Sequence, residues 1–182
     1  MNLTLSKMLN NQKKLDKAIY DNYKSKADNP ICEGEVELSI LTGLFVELGE
    51  FINETANFKY WKLNKIINKD NVLEELADVI HMCLSIMSKD NVKIKIGKTF
   101  KDLCDESIVT LKEFDSYEED KRNSALNILE NEILSQFYNC NFLTVISCCV
   151  TLAYAIGCTY EEIEKAYLDK YEKNFDRIKN NY

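Results

Sequence analysis

Only one proline, Pro30, and five glycines punctuate the 182 residues of this chain. Hairpin-rich and βαβ folds need turn formers in quantity, so the sequence leans strongly towards an all-α architecture. Apolar residues recur at the helical period along most of its length. A first helix, expected over 5–23, carries Met8, Gln12, Leu15, Ile19 and Tyr23 on one stripe. The stretch SKADNPICEGE, which holds the proline, reads as a loop. A second helix over 35–57 aligns Leu41, Leu44, Phe45, Leu48, Phe51, Ile52 and Thr55 on its core-facing side. FKYWKLNKIINKD then links to a third helix, where Asn71 is the expected cap and Glu74, three residues on, resembles a capping box.

The third helix is expected to end near Ser88, before the Lys89-Asp90-Asn91 break, and another to follow over 98–114. The charged run SYEEDKRN is either a solvated link or the first turn of a helix over 118–138. Residues 142–156 read as a buried helix ending at Gly157, and Thr159 with Glu162 matches the N-cap and N3 positions of a last helix reaching about residue 180. No repeat or low-complexity boundary divides the sequence. A hydrophobic content of 46% supplies a sizeable core, and 1–182 is read as one domain.

Charge and cysteine usage narrow the function. A net charge of −7 and a pI near 4.9 argue against broad affinity for nucleic acid or an anionic membrane, so any phosphate recognition must be local. Seven cysteines, an odd number without CxxC or Cys/His ligand spacing, read as free thiols in a reducing cytosol. The N-terminus lacks an apolar signal core, and the longest apolar stretch, 142–158, is broken by Thr144, Ser147 and Thr151. Cytoplasm is the simplest address, with no membrane partner.

Two pairs of acids carry the chemistry. Glu47 and Glu50 lie i, i+3 in LFVELGEFINE, and Glu75 and Asp78 lie i, i+3 in LEELADVIHMCLSIM, so each pair projects from one helical face. On the second helix the acids fall away from the apolar stripe, where a solvated face would suffice to explain them. The third helix differs, because Val72, Leu76, Val79, Ile80, Cys83, Leu84, Ile86 and Met87 cover well over half of its circumference at about 100° per residue. Asp78, His81 and Ser85 occupy the narrow polar stripe that remains, flanked by Glu74 and Glu75. Two carboxylates about 5 Å apart repel by roughly 3 kcal/mol at an effective dielectric near 20. Mg²⁺ relieves such repulsion, since hard cations prefer carboxylate oxygens and magnesium often shares its shell with substrate phosphates; Mn²⁺ is a possible substitute.

ELGEFINETANFKYWK followed by EELADVIHMCLSIM resembles the all-α nucleoside triphosphate pyrophosphatases, specifically the dimeric dUTPases related to MazG-like proteins. The likeness extends to AYLDKYEKNFDRIKNNY and, more loosely, to LNNQKKLDKAI, so it touches most of the chain. It implies a helical bundle, a homodimer, and Mg²⁺-dependent hydrolysis of dUTP to dUMP and pyrophosphate. By that resemblance Glu47, Glu50, Glu75 and Asp78 hold metal, and Glu50 orients or deprotonates the attacking water. No protein nucleophile is required.

The resemblance also assigns Lys170, Asn174 and Arg177, one stripe of the last helix, to a phosphate clamp, where the alternative is a solvated face. Lys62 meets phosphate or remains a surface lysine. Trp61, the sole tryptophan, belongs to the nucleotide pocket or to a core or interface. His81, the sole histidine, is either structural or a contact to the deoxyribose. Tyr182 matches an aromatic near the family's C-terminus. Within the first helix, Gln12 matches a uracil-reading glutamine, but Asp16 stands where the family has an asparagine. An ionised acid only accepts hydrogen bonds, so dCTP or mixed pyrimidine substrates stay open. A non-catalytic helical interaction or regulatory protein is the alternative of a different class.

Overall fold

A computed structural model describes residues 3–89, 98–115 and 119–180, and of 108–115 and 119–123 the backbone only. Seven helices follow in order: α1 Leu5–Lys26, α2 Glu33–Thr55, α3 Lys69–Lys89, α4 Phe100–Asp115, α5 Glu119–Tyr138, α6 Phe142–Ala155 and α7 Tyr160–Lys179. No strand occurs among the described residues; a lone bridge between Thr4 and Thr99 ties the start of α1 to the start of α4. The expected break at Asp90 and Asn91 and the residue Tyr182 lie outside the described residues, as does the first part of SYEEDKRN.

α3 is the axis of the bundle and packs against α1, α2, α6 and α7. Its sequence explains the position, because the wide apolar sweep from Val72 to Met87 has to be covered on several sides. Leu44, Leu48 and Phe51 cover it from α2, Met8 from α1, Val145, Ile146, Cys149 and Val150 from α6, and Ile163 and Tyr167 from α7. α4 and α5 brace α6 from the other side.

Local chemistry sets most of the ends. Thr159 Oγ1 accepts from the Glu162 amide at 3.3 Å while the Thr159 amide donates to the Glu162 carboxylate at 2.7 Å, the reciprocal box read from the sequence. Gly157, at φ +94°, follows α6 in the left-handed region, and the Cys158 amide reaches back to the Ala153 carbonyl at 3.0 Å. The expected cap of α3 is corrected. Asn68, not Asn71, accepts from the Asp70 amide through its side chain at 3.0 Å, while the Asn71 amide group donates to Glu54 on α2 at 3.1 Å. Here a tertiary partner outcompetes the local cap.

The α2 stripe is narrower than its periodicity suggests, since Phe45 is 52% exposed. Ile19 and Tyr23 are likewise exposed, because α1 continues to Lys26 beyond the core. All seven cysteines are free thiols; Cys32 and Cys140 are exposed and the other five buried. None of the described helices is long and apolar enough to cross a membrane.

Candidate functional site

The α2–α3 hairpin brings the two acid pairs together. Glu47 from α2 and Glu75 and Asp78 from α3 each offer a carboxylate oxygen, and these oxygens all lie within 4.8 Å of one another in a half-buried cluster. Partial burial raises the Glu47 carboxyl to about 7, with the charges of Asp78, Glu50 and Glu75 adding to the effect. Glu75 is raised for the same reason, burial first and then Glu50 and Asp78. Glu50 is exposed and lies outside the three-residue cluster, yet its charge is felt by both Glu47 and Glu75. Three crowded carboxylates that resist ionisation form a hard, anionic oxygen donor set, the chemistry that fits a divalent cation.

α7 lays its basic side chains against this cluster. Lys170, mostly buried, donates to Asp78 Oδ2 and lies 3.8 Å from Glu74 Oε1. Burial raises Asp78 even so, the bond from Lys170 offsetting part of the effect. Lys173 donates to Glu74 at 3.0 Å and, with Lys170, holds that carboxyl below the usual range. Arg177 Nη1 donates to Asn174 Oδ1 at 3.3 Å, and the Arg177 charge reaches both Asp78 and Glu74. Of the sequence stripe, Lys170 pairs with Asp78, Arg177 acts on Asp78 and Glu74 through its charge, and Asn174 bonds to Arg177. Lys173 and its pairing with Glu74 went unread in the sequence. The only signal was a lysine three residues beyond Lys170, and long-range pairing with α3 is invisible to periodicity.

A second polar cluster sits where α1 meets α3 and α7. Gln12, 3% exposed, places one end of its side-chain amide 2.7 Å from Asp16 Oδ1 and the other 2.8 Å from His81 Nδ1. His81 Nε2 meets the Tyr167 carbonyl at 3.1 Å, and the imidazole stacks on the Tyr167 ring with centroids 4.6 Å apart. Ser85 Oγ donates to Asp16 Oδ2 at 2.8 Å. Burial raises the Asp16 carboxyl, against the opposing bonds from Ser85 and Gln12. Burial also lowers His81 to about 4. Both His81 nitrogens thus have protein partners, and a sugar hydroxyl could reach them only by displacing one.

Trp61 and Lys62 are positioned differently. Trp61 is 59% exposed and packs edge-on against Phe58 and Tyr60, with centroids 6.0 and 5.2 Å away. Lys62 closes a turn through its amide on the Lys59 carbonyl at 3.0 Å. The structure gives neither side chain a contact with the acidic cluster.

An all-α bundle, without strands among the described residues, in which lysine and arginine of α7 face clustered carboxylates of α2 and α3, is the architecture of a helical enzyme class. The family model described as dUTPase matches residues 4–182, and the chain belongs to this family, the dimeric dUTPases, as a dUTP diphosphatase. Comparison with curated proteins finds no match.

Proposed function

We propose that this dUTPase hydrolyses dUTP to dUMP and pyrophosphate with Mg²⁺, for which Mn²⁺ can substitute, held by Glu47, Glu50, Glu75 and Asp78. The observation that carries the proposal is the close approach of the Glu47, Glu75 and Asp78 oxygens, within 4.8 Å of one another, in a half-buried setting that penalises their shared charge. When bound, a divalent cation supplies charge neutralisation for the triphosphate and acidity for the attacking water.

The side chains divide the remaining work. Glu50, exposed beside the cluster, orients the water and takes its proton. Lys170 transfers its ammonium from Asp78 to the triphosphate, while Asn174 and Arg177 add an amide and a planar fork. Lys62 supplies a further positive charge from the loop between α2 and α3. Trp61 covers the nucleotide, Gln12 and Asp16 meet the base, and His81 lies against the deoxyribose. Lys170 is the counter-ion of Asp78, and phosphate is a competing anion for it once the acids have another cation.

Residues 1–182 act as one catalytic domain in this reading, in the cytoplasm, where seven free thiols suit a reducing compartment. The substrate is the nucleotide and not a nucleic acid, in keeping with the net charge of −7. The enzyme works as a homodimer, supported by large apolar side chains left exposed on α2 (Leu38, Phe45 and Val46) and on α5 (Ile128 and Tyr138). Sedimentation should therefore give twice the 21.1 kDa of the chain, and a purely monomeric species would remove the dimer.

A pyrophosphate-release screen with Mg²⁺ tests the substrate reading. dUTP should be turned over fastest, and dCTP, dTTP and UTP more slowly. Equal rates on UTP would overturn the sugar discrimination, and preference for dCTP would overturn the base assignment.

A further inference from the structure

The cluster of Gln12, Asp16 and His81 holds more information than its contacts alone. From α7 to α1 it forms a chain of three hydrogen bonds: Tyr167 carbonyl to His81 Nε2 at 3.1 Å, His81 Nδ1 to Gln12 at 2.8 Å, and Gln12 to Asp16 at 2.7 Å. Each bond needs one hydrogen. The Tyr167 carbonyl can only accept, so His81 Nε2 must carry a proton. Gln12 then allows two arrangements. With its carbonyl towards His81, the ring needs a second proton and Asp16 is a carboxylate. With the amide turned end for end, its NH₂ donates to a bare His81 Nδ1, its carbonyl faces Asp16, and Asp16 must be protonated. Both arrangements contain the same number of protons. Removing that shared proton leaves one of the three bonds without a hydrogen.

The surroundings choose between the two. An imidazolium and a carboxylate would be separated by the length of the Gln12 amide, each desolvated and neither touching the other, the costly form of a buried charge pair. His81 is 5% exposed, stacked on Tyr167 and, farther off, roughly parallel to the ring of Tyr171 of α7, with the positive charge of Lys170 nearby. Around Asp16, α3 contributes the hydroxyls of Ser85 and Ser88 and the charge of Lys89, which favours the carboxylate but is not bonded to it. Burial works against charge at both ends, lifting Asp16 and lowering His81.

We propose that Asp16 is a positioning residue that works as a neutral carboxylic acid, donating its proton to Gln12 and so fixing Gln12 in one amide orientation and His81 in its Nε2–H tautomer for the nucleotide. This rests on the nucleotide-site reading above and deepens it. A neutral acid offers one O–H and one C=O, the same complement as an amide, so the aspartate at this position does not deprive the pocket of a donor.

His81 is the only histidine, so its ring nitrogens give a single set of ¹⁵N signals. In the full-length protein without nucleotide at neutral pH, these should report a neutral Nε2–H ring, and the Asp16 carboxyl carbon should keep the shift of a protonated acid. Two protonated ring nitrogens, an Nδ1–H tautomer or an ionised Asp16 would each overturn the proposal. Kinetically, Asp16→Ala should raise KM for dUTP about tenfold, the equivalent of one lost buried hydrogen bond, with kcat within about twofold. Asp16→Asn should rescue most of that loss and retain the native His81 tautomer. An asparagine variant as impaired as the alanine variant would also overturn it. The ring signals are read without substrate, so they locate the proton independently of whether the site takes dUTP, a question answered separately by the turnover of the native enzyme.

Discussion

Glu50→Gln should lower pyrophosphate release by about 10³-fold, within the range general-base groups contribute, while leaving the helical content of the protein unchanged. The substitution keeps the shape and hydrogen-bonding reach of the side chain and removes its charge and its capacity to take a proton. Glu50 is exposed on α2, so no packing is lost. One negative charge disappears beside Glu47 and Glu75, both of which it pushes upward, and their ionisation becomes easier. Cation binding measured by calorimetry should weaken with the loss of one of the four acids but persist on Glu47, Glu75 and Asp78, while turnover does not. Asp78→Asn would be a poorer probe because it also strips the mostly buried Lys170 of its partner. Retained turnover in Glu50→Gln would remove Glu50 from the chemistry.

The second large effect links metal, nucleotide and pH. Glu47 is raised from 4.5 to about 7, so between those values the folded protein binds more protons than the unfolded chain. Its contribution to stability is present at low pH and is lost as pH rises through about 7. In metal-free protein this single group should make about pH 6.5 more favourable than about pH 8 by roughly 0.5 kcal/mol, after discounting for the screening of a part-exposed side chain. His81, lowered from 6.5 to about 4, adds little of its own to this profile, because the proton that the folded ring refuses is held on Asp16, whose carboxyl burial raises. The metal-free optimum should therefore lie near the acidic side of neutrality. Mg²⁺ with a non-hydrolysable dUTP analogue, at about 100 times its Kd, should add about 2.7 kcal/mol of stability. That gain should shrink as pH falls through about 7, since the proton on Glu47 competes with the cation. Thermal melts across pH check both statements, and the same pH profile with and without Mg²⁺ would sink the assignment of these acids to metal.

Much of the fold was legible residue by residue. The Thr159–Glu162 box and the stop at Gly157 are short-range devices, and they bound the helices where the sequence puts them. Asn71 was misread because it has two possible partners. The local cap competes with Glu54 across the hairpin, and proximity in space decides. Phe45 shows the same limit, for periodicity defines a face but not how completely another helix covers it: the ring meets Phe137 of α5 and still stays half exposed.

For the site, the i, i+3 spacing within α2 and within α3 already places each acid pair on one surface, and the breadth of apolar residues on α3 already requires Asp78 and His81 to sit on a thin polar strip. Those features follow from helix geometry alone. Tertiary structure decided that Glu47 joins Glu75 and Asp78 while Glu50 stands beside them, and that Lys170 neutralises Asp78. It also joined Asp16 to His81 through Gln12 and brought in the Tyr167 carbonyl, a backbone group that no side-chain pattern encodes. Sequence determines which groups share a face because the chain is covalently periodic; which faces meet, and hence which groups exchange a proton or a charge, is set by packing between helices far apart along the chain.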